Sequence, residues 1–331
     1  MKSLTKKIMF AGFCVACLSF DSTASISGKE PTKPYWQDVQ IVSVNKEEPR
    51  TSFVSFSDKN SALIKRFEES PYYKSLNGIW KFLYVDGYKK LPANATDAGL
   101  NITSWDNITV PGNWERQGYG AAVYVNHGYE FKARNPEPPL LPEATPVGVY
   151  RRDIEVPAEW DGRDIYLQIG GAKNGLYVYL NGQEIGYSED SKNPADFLLN
   201  PYLRPGKNEL ALKIFRWSTG SYLECQDMWR VSGMERDVVL YSQPKIAVKD
   251  FRIVSTLDEQ YKDGIFKLGV DIKNHTSETK QVKVSYELLD KQKRVIGQEE
   301  ESIWASAGTI QRASFDHVIP NVAKWTAETP N

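Results

Sequence analysis

The run Arg216 to Arg230, RWSTGSYLECQDMWR, places two carboxyl groups, Glu224 and Asp227, among Trp, Tyr and Met side chains. A second acidic pair, Glu189 and Asp190, sits in Tyr187-Ser188-Glu189-Asp190-Ser191. Hydrolysis of a glycosidic bond uses two carboxyl groups about 5 to 9 Å apart, one to protonate the leaving oxygen and one as nucleophile or base. In an extended strand, residues three apart face opposite sides at roughly 10 Å, so Glu224 and Asp227 could cooperate only if the segment turns. The alternative is that these carboxylates hold loops together by accepting backbone N–H bonds.

Other chemistries find less support. Of the three cysteines, Cys14, Cys17 and Cys225, only the last lies beyond the first apolar stretch, so the remaining chain has one thiol and no internal disulfide. A Cys225 nucleophile would need a His partner, and His127, His275 and His317 sit in no recognisable motif, so a buried, inert thiol is expected. The sequence has no GxSxG elbow, no HExxH and no Gly-rich phosphate loop. Lys plus Arg number 41 against 42 for Asp plus Glu, which leaves a net charge of -1 and nothing to attract a nucleic acid backbone. Aromatic residues reach 12%, and flat amphipathic rings suit both sandwich cores and sugar faces.

The elements that must carry these residues are short β segments. Residues 1–24 read as a signal peptide: Lys2, Lys6 and Lys7, then apolar Ile8 to Phe20, then Ser22-Thr23-Ala24 as a cleavage site. This predicts export to the periplasm or beyond, with lipid attachment at Cys17 as the alternative, and no segment of membrane-spanning length. Residues 25–72 read as a polar arm lying across a neighbouring domain. Over residues 73–243, segments at Ile79–Val85, Val147–Val156, Asp164–Ile169, Gly175–Leu180, Glu209–Trp217 and Arg236–Tyr241 predict a jelly-roll β-sandwich. Asn181-Gly182 predicts a type I′ hairpin. After a linker at Pro244, residues 244–331 offer five further strands, where an immunoglobulin-like sandwich needs about seven. The fold class expected is thus all-β, a jelly roll followed by an incomplete immunoglobulin-like sandwich, with the chain truncated inside its second domain.

Several runs, taken in order, resemble the family 2 glycoside hydrolases, and among them the β-galactosidases. They are Ser75-Leu76-Asn77-Gly78-Ile79-Trp80-Lys81-Phe82, then Val110-Pro111-Gly112-Asn113-Trp114-Glu115 with Gly118-Tyr119, then Tyr124-Val125-Asn126 and Val149-Tyr150-Arg151-Arg152. Asn181-Gly182 with Gly186 to Ser191 follows, and Arg216 to Gly233 is the most specific stretch. The resemblance implies that a (β/α)₈ barrel absent from this sequence carries both catalytic glutamates and the ligands of a Mg2+ ion. It implies no catalytic residue in this chain. Two positions carry over as substrate-binding: Asn126 beside the bound galactose, and Asp227, which would accept galactose hydroxyls and supply one ligand to a partial Na+ site. An amide supplies donor and acceptor together, and a carboxylate can share its oxygens between a hard cation and a hydroxyl. Thr219 and Cys225 stand where such enzymes often have Asp, which alters the charge of the loop. The partner implied is a β-galactoside or oligosaccharide, and the family leaves room for a homo-oligomer of the full-length enzyme. A secreted, non-catalytic carbohydrate-binding module is the competing reading.

Overall fold

Strand Gly175–Leu180, GLYVYL, is buried at every position, so it lacks the alternation of a half-exposed strand. Its surroundings explain this in a computed structural model, which describes residues 33–131 and 135–330. The predicted signal peptide and the start of the arm lie outside these residues. Gly175–Leu180 is an inner strand of a seven-stranded antiparallel sheet, ordered Ser43–Val44, Gln183–Ser188, Gly175–Leu180, Lys207–Phe215, Val147–Glu155, Gly78–Val85, Asp106–Val110. One face meets a four-stranded sheet ordered Ala195–Leu198, Asp164–Ile169, Val238–Gln243, Tyr73–Ser75. Between them lies the main core, with Trp80, Phe82, Leu167, Val178, Leu212 and Leu240. This is the expected all-β sandwich.

The other face of the large sheet is covered by the arm. Trp36 stacks on Phe215 at 4.6 Å, and its backbone N–H donates to the Tyr177 hydroxyl at 3.2 Å. Strand Ser43–Val44 pairs with the edge strand Gln183–Ser188 and covers part of that edge. Farther along, Arg50 pairs with Asp196 at 3.3 Å, and the Thr51 N–H donates to Asp250 at 2.9 Å. The arm therefore touches both sandwiches.

The second sandwich has two antiparallel sheets among the described residues. Ile246–Leu257, Gly264–Asn274 and Ile310–Ile319 form one, and Lys280–Leu289 with Val295–Ala305 forms the other. Gly264–Asn274 alternates for most of its length, with Phe266, Leu268, Val270 and Ile272 turned into the core. The hairpin at Asn181-Gly182 forms as expected. Asn181 has φ 54 and Gly182 φ 81, and Leu180 pairs with Gln183, the geometry of a two-residue type I′ turn.

Candidate functional site

Asp227 and Asn126 meet on a small ribbon. Val123–Val125 pairs antiparallel with Met228–Arg230, with Tyr124 opposite Trp229 and Val125 opposite Met228. One further step of this register sets Asn126 against Asp227. Because side chains two apart share a face, Tyr124, Asn126, Asp227 and Trp229 line the same side. The Tyr124 hydroxyl donates to Asp227 Oδ1 at 2.5 Å, and the Tyr124 and Trp229 rings meet edge-on at 5.9 Å. That hydrogen bond, with a smaller contribution from burial, pushes the Tyr124 phenol up from its ordinary value. His127 Nδ1 lies 2.7 Å from the Asn126 side-chain oxygen. Tyr124 and Trp229 are 54% and 60% exposed, so the ribbon offers aromatic rings, a carboxylate and an amide directly to solvent.

Arg216 fixes the foot of the ribbon. Its guanidinium donates to the carbonyl of Ala121 at 3.1 Å and to that of Arg230 at 3.3 Å, next to one end of each strand. It also lies 3.2 Å from Glu115 and 3.2 Å from Glu130, both buried. Burial raises the Glu115 carboxyl, while the Ser232 N–H and the Arg216 charge oppose that rise. The Trp114-Glu115 and Arg216 motifs, far apart in sequence, thus anchor one loop system.

The other expected carboxylates are structural. Glu224 does not join Asp227: it accepts from Asn174 Nδ2 at 2.8 Å, the Ser191 N–H at 2.9 Å and the Ser191 hydroxyl at 2.6 Å. Glu189 is buried and accepts from the Tyr187 hydroxyl, the Thr219 hydroxyl and the Gly220 N–H, at 2.6, 2.8 and 2.6 Å. Burial raises its carboxyl against these donors. Each loop therefore holds the other through one carboxylate. Asp190 closes its own turn by accepting from Asn193 Nδ2 at 2.8 Å. The Cys225 thiol, half-buried and pushed up by burial, donates to the Ser221 carbonyl at 3.1 Å. It has the setting of an inert thiol.

The two parts of the chain match two parts of one family. Residues 73–244 match the model described as "Glycosyl hydrolases family 2, sugar binding domain", and residues 246–331 match "Glycosyl hydrolases family 2". The chain belongs to glycoside hydrolase family 2. Within that family, it is 34% identical over 302 residues to a β-galactosidase of Priestia megaterium, covering 90% of this chain and 29% of that protein. It is 36% identical over 307 residues to a β-galactosidase of Photobacterium profundum, covering 89% and 28%. The chain spans under a third of the length of either relative. Among solved structures, the β-glucuronidase of Bacteroides uniformis aligns with TM-score 0.62 at 19% identity, over 77% of this chain and 28% of that one. A β-glycosidase from Bacteroides vulgatus aligns with TM-score 0.57 at 18% identity, over 77% and 30%. At these identities the structural matches speak for the fold alone.

Proposed function

We propose that this chain is the amino-terminal part of an exported β-galactosidase that releases terminal non-reducing β-D-galactose, and that it forms one wall of the galactose site. The observation that carries the reading is the ribbon. It sets Asn126 and Asp227 side by side on an exposed face, in a chain whose relatives at 34% and 36% identity are β-galactosidases. Asp227 keeps one carboxylate oxygen on Tyr124 and leaves the other for a sugar hydroxyl or a cation. Asn126 can donate and accept at once.

The donor set fits a minor share of a Na+ site. Asp227 supplies a hard oxygen, and among the described residues no group of three His, Cys, Asp or Glu side chains comes together to hold a metal. Further Na+ ligands, both catalytic glutamates and any Mg2+ ligands would come from outside this chain. The basic and apolar residues of 1–24 support export, with Cys17 as an alternative anchor point. Glu224, turned into Asn174 and Ser191, leaves the ribbon without the second carboxyl that bond cleavage needs, which also keeps the binding-module reading in view.

Two assays test the proposal. The purified chain should release no nitrophenol from nitrophenyl β-galactoside, and turnover would overturn the division of labour. In the full coding protein, Asp227→Asn should lower kcat/KM for that substrate about 10- to 100-fold, the scale of a lost charged hydrogen bond, and blunt its response to Na+. Unchanged kinetics with an unchanged Na+ response would remove the role given to Asp227.

A further inference from the structure

A cavity of about 310 Å³ opens on the outer face of the four-stranded sheet, between that face and arm residues 50–55. It shares no lining residue with the Asn126 and Asp227 ribbon. Strand alternation produces its floor: Leu167 and Leu240 point into the core, so their neighbours Gln168, Val239 and Tyr241 face outward. Tyr241 stacks on Tyr166 at 4.9 Å and donates to Asp196 at 2.7 Å.

The roof is held in place before any ligand arrives. The Arg50 guanidinium lies 4.9 Å from the Tyr241 ring and 4.8 Å from the Phe53 ring while bonded to Asp196. Thr51 is pinned to Asp250 and Phe251, and Phe53 packs on Phe251 at 5.7 Å. A preformed pocket of this size lies at the lower end of small-molecule sites, about 300 Å³ and above.

The lining narrows the ligand. Phe67 stands 48% exposed at the cavity, on the single turn Phe67–Glu69. The hydroxyls of Tyr72 and Tyr73 and the carboxylate of Glu68 have no hydrogen-bond partner among the described residues, while the exposed Arg236 donates to the Lys192 carbonyl at 2.7 Å and the exposed Asp237 accepts from Asn77 at 2.9 Å, which leaves each with capacity to spare. Tyr73, Glu68 and Asp237 line the same cavity, and burial first, then the two carboxylates, raise the Tyr73 phenol. Arg50 is neutralised by Asp196, which leaves Arg236 facing Glu68 and Asp237, so the lining disfavours a phosphate. An uncharged ligand with one apolar face and many hydroxyls fits this mixture.

We infer that this cavity is a second saccharide site, which takes the end of a neutral oligosaccharide by packing a pyranose face against Phe67 and Tyr73 and bonding its hydroxyls to Glu68, Asp237 and Arg236. The sugar class rests on the proposed function, whereas the position of the cavity does not. Its role is to hold a glycan chain on the protein away from the galactose wall.

Lactose is the probe, titrated by calorimetry into the purified 331-residue chain and into three variants. Phe67→Ala and Glu68→Gln alter exposed side chains of one short turn, so the fold is preserved, and circular dichroism checks it. Each should weaken lactose binding at least tenfold, whereas Asp227→Asn removes only the contribution of the galactose wall. No heat of binding to the native chain, or full binding by both turn variants, would overturn the inference. Binding lost only in Asp227→Asn would also overturn it, while supporting the galactose wall. Binding lost in the turn variants, beside full galactosidase activity of Asp227→Asn in the full coding protein, would keep the cavity and sink the role proposed for Asp227.

Discussion

Glu224 and Asp227 stand three positions apart and meet entirely different neighbours. The first is spent on Asn174 and Ser191, and the second is turned outward to Tyr124. Tyr124 is the residue that sequence reasoning passed over, although it opens the Tyr124-Val125-Asn126 motif. Its partnership depends on strand pairing across about a hundred residues, and no local spacing encodes that. Tyr124→Phe should leave folding intact, because the side chain is exposed, and should raise KM for galactoside in the full coding protein roughly fivefold by freeing Asp227 to rotate. Thr219 explains one departure from the usual loop sequence. Its hydroxyl donates to the buried Glu189 at 2.8 Å, where an Asp would present a second carboxylate. Thr219→Asp should destabilise the chain by about 2 kcal/mol or more in urea denaturation at neutral pH. A second carboxylate raises the folded-state pKa of the pair further, so the native state binds more protons than the unfolded chain and the loss should ease on acidification.

At the scale of elements, the ribbon is a short two-stranded piece that would not hold its own shape. Arg216 supplies what the ribbon lacks, bonding the carbonyls of Ala121, just before one strand, and Arg230, at the end of the other, while its one positive charge faces both Glu115 and Glu130. Arg216→Met should cost about 3 to 5 kcal/mol, because it leaves two buried carboxylates unpaired, and amide exchange at 123–125 and 228–230 should rise with it. The Asn181-Gly182 hairpin makes a simpler case. A Cβ on Gly182 would lie 2.8 Å from the Ala98 backbone nitrogen at a φ of +81, so Gly182→Ala should cost about 1 to 2 kcal/mol in thermal or urea unfolding. Its position far from the ribbon predicts no change in sugar binding.

Over the whole molecule, one buried carboxylate ties the two sandwiches together alongside the bridging arm. Asp164, on the jelly roll, meets Lys245 at 2.5 Å, His275 at 2.7 Å and Lys273 at 3.3 Å, all from the linker and second sandwich. Burial alone would raise its carboxyl. Hydrogen bonds from His275 and Lys245 and the charge of Lys273 outweigh that and hold it well below the usual carboxylate range. A carboxyl depressed on folding contributes stability above its unfolded value, about 3.8, and loses it as pH falls toward the folded value. The chain should therefore lose stability steeply below about pH 4. Asp164→Asn should flatten that slope and cost about 3 kcal/mol at neutral pH by leaving Lys273 buried without its counter-charge, as read by urea titrations across pH.

Local chemistry and short-range pattern determined much of this protein. Most strands of both sandwiches, though not Asp106–Val110 or Ala195–Leu198, are legible in the sequence along with the Asn181-Gly182 turn and the motifs of glycoside hydrolase family 2, because period-two burial, turn residues and local backbone preference act over a few residues. The buried Gly175–Leu180 strand was legible as an apolar run, but its double coverage was not, since Trp36 arrives from well over a hundred residues away. The fate of the carboxylates belongs to tertiary structure. Glu189, Glu224 and Asp227 look alike in sequence. Which is buried, which is clasped and which is turned to solvent beside Tyr124 follows from loops and strands that meet only once the sheets have packed. The cavity beneath the arm is likewise decided there, because its floor and roof come from segments more than a hundred residues apart.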